Sequence, residues 1–174
     1  MRFIKPLVFT AILCIISTNS ALAQLSEDWH GNFSGEVSIY NEKGLSQKVH
    51  MQLEIKPLSD STYQWKITYG EGANADVRDY RVLRNPEDRN QLILDELNGI
   101  RLYLSYINEG LYSWFGLNNS ELLLSYELSD NQIQFSAISS QNNKLLESGG
   151  SNENTPSVVT QPVRVVQKAT LIKN

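Results

Sequence analysis

Leu45-Ser46-Gln47-Lys48-Val49-His50-Met51-Gln52-Leu53-Glu54-Ile55-Lys56 puts an apolar side chain at every second position once Val49 is reached. A period of two is the mark of a β-strand, because successive side chains point to opposite faces, whereas a helix would repeat near 3.6. Leu45, Val49, Met51, Leu53 and Ile55 therefore share one apolar face, and Ser46, Lys48, His50, Gln52, Glu54 and Lys56 a polar one. The preceding segment has the same form, with Phe33, Val37 and Ile39 against Ser34, Glu36 and Ser38.

Outward from this pair, turn-forming clusters punctuate the chain at short intervals: 41–44, 57–61, 70–72, 85–88, 98–99, 108–110, 118–120 and 129–131. Asn98-Gly99 is the strongest of them, since both residues accept the positive φ of a tight hairpin. The strands so delimited run over 31–40, 45–56, 62–69, 77–84, 91–97, 100–107, 111–117, 121–128, 132–139 and 162–173. Short links make consecutive strands hairpin neighbours, which is the connectivity of a meander. From Gln141 to Gln161 the chain turns to Asn, Ser, Gly and Glu with no period, which predicts a flexible exposed loop. The last segment returns as a strand, and pairing it with an early strand removes a free edge. The fold expected is all-β, a ten-stranded antiparallel up-and-down barrel, in preference to a sandwich, which needs crossings between sheets.

The N-terminus has a different character. Arg2 and Lys5 precede the apolar run Leu7 to Ile16, and Ala21-Leu22-Ala23 follows it. This is the pattern of a secretory signal peptide over residues 1–23, cut before Gln24, and the run is too short to span a bilayer. A lipoprotein reading of Cys14 fails because Leu13 is large where a small residue is needed. The mature chain, 24–174, is then one domain of about 150 residues, exported to a periplasm or to the medium. It contains no cysteine, so thiol catalysis, disulfides and cysteine metal sites are excluded. With 13 basic against 19 acidic residues its net charge is near −6, which argues against nucleic acid and anionic membranes.

Trp29-His30-Gly31-Asn32-Phe33 ahead of the first strand, the ten-strand meander, and Arg164 in the closing strand together resemble the calycin group, the lipocalins and fatty-acid-binding proteins. The resemblance implies that Trp29 plugs one end of the barrel and that a basic residue of the last strand, Arg164, packs over it. Gly31 follows Trp29 where lipocalins place a glycine before the tryptophan, and their Thr-Asp-Tyr motif is missing. Alternation alone also fits an outer-membrane barrel with the faces exchanged. Lys48, Glu54 and Lys56 would crowd a narrow lumen, and the chain ends on Lys173-Asn174 rather than an aromatic, so integral membrane insertion is not expected.

Candidate site residues come from side chains in phase with the apolar faces. Tyr63, Trp65, Ile67 and Tyr69 share a face of the third strand, as do Arg78, Tyr80 and Val82 of the fourth. Aromatics facing inward form rigid walls with polar handles, in a packed core or around a ligand. An inward arginine must be paired or await an anion. Arg78 and Arg164 are the two candidates, and in fatty-acid-binding proteins an interior arginine of late strands holds a carboxylate. The set proposed to contact a ligand is therefore Tyr63, Trp65, Tyr69, Arg78, Tyr80 and Arg164.

Catalytic and cofactor chemistry finds little support. No histidine follows His50, so a late-strand heme ligand is missing, and neither Asp28 with His30 nor Asp95 with Glu96 gathers three or four metal ligands. There is no Gly-x-Ser-x-Gly elbow, and Gly70-Glu71-Gly72 is too short and acidic to cradle phosphate. No cofactor is expected. The function expected is binding of a small apolar or amphipathic molecule inside the barrel. The alternatives are a filled barrel acting through its surface or the 141–161 loop and, weakest for want of an acid–base set, a calycin-like isomerase or cyclase. Oligomeric state is not encoded in any feature of the sequence.

Overall fold

A computed structural model describes residues 24–88, 90–141 and 145–174; the signal peptide read over 1–23 lies outside the described residues. The strands are β1 (Gly31–Asn41), β2 (Gly44–Ser59), β3 (Thr62–Tyr69), β4 (Asp76–Arg84), β5 (Gln91–Asp95), β6 (Arg101–Ile107), β7 (Gly110–Leu117), β8 (Ser120–Ser129), β9 (Gln132–Gln141), β10 (Leu146–Ser148), β11 (Val158–Thr160) and β12 (Val163–Lys173). Strands β1 to β9 follow one another as antiparallel neighbours, and β12 closes the barrel by pairing with both β9 and β1. The ten-stranded up-and-down barrel expected from the period-two pattern is the fold observed.

Apolar faces point inward. Phe33, Val37, Met51, Leu53, Ile55, Trp65, Leu104, Leu111, Ile133 and Leu171 are buried together, while the outer wall carries ion pairs such as Lys48–Glu36 and Arg81–Asp79. That arrangement is the reverse of an outer-membrane barrel, whose apolar band faces lipid. No helix among the described residues is long and apolar enough to cross a membrane.

Two local departures from strict alternation matter. A bulge between Ile39 and Tyr40 pairs Ile39 with Gln47 but Tyr40 with Leu45. One extra residue flips the side chains beyond it, so Leu45 faces solvent, contrary to the face assigned from parity, while Gln47, in phase with Val49, still faces in. The Asn98-Gly99 turn is wider than a two-residue hairpin. β5 stops at Asp95, the Glu96 N–H donates to the Ile100 carbonyl at 3.0 Å, and positive φ falls on Leu97 and Gly99 rather than on Asn98. The Asp95 carboxylate holds this turn by accepting from the Leu97 N–H at 2.8 Å and from Arg101 Nε at 2.8 Å, which keeps its pKa below the usual carboxylate range. Within the stretch 141–161, read as a loop, β10 and β11 pair only with each other and lie exposed beside the barrel.

Candidate functional site

One end of the barrel is filled. A single 3-10 turn, Glu27–Trp29, drops the Trp29 indole into the start of the barrel, where it is fully buried. Its ring lies 6.1 Å from that of Trp65; Trp65 meets Tyr126 edge-on at 5.1 Å, and Tyr126 meets Phe135 at 5.3 Å. Tilted and edge-to-face rings at these separations are the favoured aromatic geometries. The turn is tied down by Glu109, whose Oε2 accepts from Tyr106 Oη at 2.6 Å, Ser26 Oγ at 3.2 Å and Trp29 Nε1 at 3.3 Å. Burial, reinforced by the adjacent Glu109 carboxylate, pushes the Tyr106 hydroxyl up to about 12.

The other end is open and holds a cavity of about 400 Å³, which lies in the range of small-molecule sites. Tyr126 and Phe135, the last rings of the aromatic chain, also line this cavity. The polar groups concentrate on β3, β4 and the end of β5, as Tyr69, Asp76, Arg78, Tyr80 and Glu96. The rest of the wall is mainly apolar, with Ile39, Val49, Phe115, Leu122, Leu124 and Ala137, and adds the amides of Gln47 and Gln167. The result is a facially amphipathic pocket.

Arg78 is not a free anion site as the structure stands. Its Nε and Nη2 both donate to Asp76 Oδ2, at 3.1 and 2.9 Å, and its guanidinium sits 5.1 Å from the Tyr69 ring centroid. Burial works against its charge, but Asp76 and the tyrosines outweigh this and hold its pKa above the ordinary value. Burial raises the hydroxyls of Tyr69, Tyr80 and Tyr126, so all three stay protonated donors near neutral pH; for Tyr80 the Glu96 carboxylate adds to the effect.

Of the residues singled out in the sequence, Tyr69, Arg78 and Tyr80 come together at the cavity. Tyr63 and Trp65 share their strand face with Tyr69 but lie in the filled end, Tyr63 beside His30 at 5.7 Å. Trp29 is fully buried at the closed end. Its pairing with Arg164 is corrected: the two sit at opposite ends. β12 runs antiparallel to β1, with Phe33 opposite Lys173 and Tyr40 opposite Val166, so the start of one strand lies beside the end of the other. Arg164 occupies a bulge at the open rim, where its Nη1 donates to Glu42 at 3.0 Å, and it does not line the cavity. The basic residue of the last strand at the closed end is Lys173; its Nζ donates to the Asp28 carbonyl at 2.9 Å and lies 5.5 Å from the Phe33 ring centroid.

Sequence reasoning missed Glu96, Phe115 and Tyr126. For Glu96 the signal was there, a charge in step with Leu92 and Leu94 on the inward face of β5, the same pattern that marked Arg78. His50 stands on the outer face beside Gln52, 3.5 Å away. Among the described residues no group of three His, Cys, Asp or Glu is placed to hold a metal ion.

Comparison with solved structures matches this architecture to the S-type phycobiliprotein lyase CPES of Guillardia theta, with a TM-score of 0.59 over 85% of this chain and 89% of that one at 6% identity. The fold is calycin-like. The protein EF1p2_mFAP2b bound to DFHBI also aligns, at 15% identity over 87% of this chain and 98% of that one, with a TM-score of 0.36. No protein-family model and no curated protein matches the chain. At these identities the likeness is one of fold, and what this calycin-like barrel binds has to be argued from its own lining.

Proposed function

We propose that this protein is an exported carrier that holds one small amphipathic molecule in the open end of its barrel. The observation that carries the reading is the cavity of about 400 Å³ above a filled aromatic base, which a barrel packed throughout would not leave. An apolar wall facing a row of tyrosine hydroxyls and charges suits a ligand with one greasy and one polar side. Export is supported by the signal-peptide pattern of residues 1–23.

A neutral environment-sensitive probe, N-phenyl-1-naphthylamine, tests the carrier reading by fluorescence titration. Saturable binding at one site per chain is expected, and Ala137→Trp, which fills the cavity, should abolish it while the far-ultraviolet circular dichroism stays that of the parent. Leu122→Trp is the second filling variant if the first fails to fold. Unsaturable binding, or full binding by a folded filled variant, overturns the reading. Mass analysis of the exported protein should begin at Gln24, and a diacylglyceryl group on Cys14 would refute the proposed processing.

A further inference from the structure

We propose that the cavity selects amphipathic molecules whose polar group is a cationic nitrogen, a substituted ammonium, over carboxylates. This rests on the carrier reading and specifies the ligand class of the same cavity.

Three charged side chains line the cavity, and two of them already satisfy each other. Arg78 gives both Nε and Nη2 to Asp76 Oδ2, and its face is covered by Tyr69. Glu96 is left over. Its carboxylate accepts from Asn98 Nδ2 at 3.2 Å and has no ion-pair partner among the described residues. Arg101, across the turn from Glu96 at the start of β6, is committed to Asp95, and Arg164 at the open rim to Glu42. The lining therefore carries a net charge of −1 at neutral pH, from Asp76 and Glu96 against Arg78.

An unpaired carboxylate among aromatic rings is the chemistry that receives an ammonium. The carboxylate supplies the opposite charge, and Tyr80 and Phe115 line the same cavity, aromatic rings being favourable neighbours for a desolvated cation. A carboxylate ligand meets the opposite situation: it must displace Asp76 from Arg78 and lie near Glu96. The chain's overall excess of acidic residues adds a field of the same sign, which draws cations and repels anions.

Isothermal titration of decyltrimethylammonium, decanoate and decanol, matched in chain length, separates this inference from the carrier reading. At pH 7 and low salt the ammonium should bind about tenfold tighter than decanoate, with decanol between. Added salt should narrow the gap, and Glu96→Gln should remove most of it while leaving decanol unchanged. Asn98→Ala serves as a second variant, since it removes the donor on Glu96 and should leave the ammonium preference at least as strong. Ammonium groups occur both on free amines and on choline headgroups. Decylphosphocholine should match the ammonium if a choline lipid is the source, and fall to the level of decanol if a free amine is. Decanoate binding as tightly as the ammonium, or a preference untouched by Glu96→Gln, overturns the inference while decanol binding keeps the carrier reading. Failure of all three probes overturns both.

Discussion

Gly35→Ala should pry open the seam that closes the barrel. Gly35 lies on β1 between the inward-facing Phe33 and Val37, where β12 crosses so closely that an added Cβ would stand 2.2 Å from the Thr170 carbonyl oxygen and 3.3 Å from Leu171 Cδ2. That is roughly 1 Å inside van der Waals contact, and the obstructing atom is backbone, which cannot swing aside as a side chain can. The β1–β12 ladder is already interrupted here, pairing Ser34 with Ile172 and resuming at Ser38 with Lys168. Overpacking costs about 1–3 kcal/mol, and a strained ladder bond on either side adds about 1 kcal/mol. A loss of about 2–4 kcal/mol follows, which at a urea slope of about 2 kcal/mol/M lowers the unfolding midpoint by roughly 1–2 M. Gly116→Ala on β7 is the control: its nearest contact is an ordinary 3.5 Å to Glu121 and its φ is not positive. That variant should hold or gain a few tenths of a kcal/mol, because alanine narrows the unfolded ensemble. An unchanged midpoint for Gly35→Ala, or equal losses for both glycines, refutes the close-approach account of the seam.

Trp29→Ala should cost about 3–5 kcal/mol in denaturant titration, since it empties the closed end of one of its two buried tryptophans. Combining Trp29→Phe with Arg164→Ala should give additive losses, because the two residues are at opposite ends of the barrel and share no partner. At alkaline pH stability should fall. The raised Tyr106 pKa means that the folded state holds a proton which the unfolded state releases first, so the stabilisation is complete below about pH 10 and is lost on passing pH 12. After discounting for partial exposure this amounts to about 1–2 kcal/mol, and Tyr106→Phe should flatten that part of the pH–stability curve. Limited proteolysis should cut first between Leu145 and Gln161, where the described residues are exposed and the small hairpin pairs only with itself; protection equal to the barrel strands would contradict this.

Most of the barrel was legible because its signal is local. Alternation assigns a strand and its faces from a handful of consecutive residues, and Asn, Gly and Asp clusters mark where each hairpin turns, so Val49 to Ile55 already shows which side chains are inside. What alternation does not contain is height along the barrel. Tyr63, Trp65 and Tyr69 have the same parity on β3, yet the first two are packed under Trp29 and the third lines the cavity, because depth depends on where the plug sits. The Trp29–Arg164 pairing failed for a related reason: antiparallel closure sets the start of β12 beside the end of β1, so Lys173 was the residue to weigh. Leu45 left the inward face through a single bulge, which leaves no mark in the hydrophobic pattern.

The division of the interior into a filled half and an open half follows from residue size along each inward row. At the closed end the rows supply Trp29, Phe33, Trp65, Leu104 and Leu111, with Leu171 beneath them, enough bulk to meet across the lumen. Towards the open end the same rows pass to Ile39, Val49, Leu102 and Ala137, smaller groups around an equally wide ring of strands, and the rings of Tyr126 and Phe135 line the space that remains. Polar side chains enter the lining on this side, at Gln47, Tyr69, Asp76, Arg78, Tyr80, Glu96 and Gln167, where water reaches them through the mouth. A ligand that fills the space must therefore replace water on those groups as well as cover the apolar wall. Arg78 loses little in that exchange because Asp76 moves in with it; Glu96 has no such companion, and the cost of drying it is what makes the charge of the ligand decide the affinity.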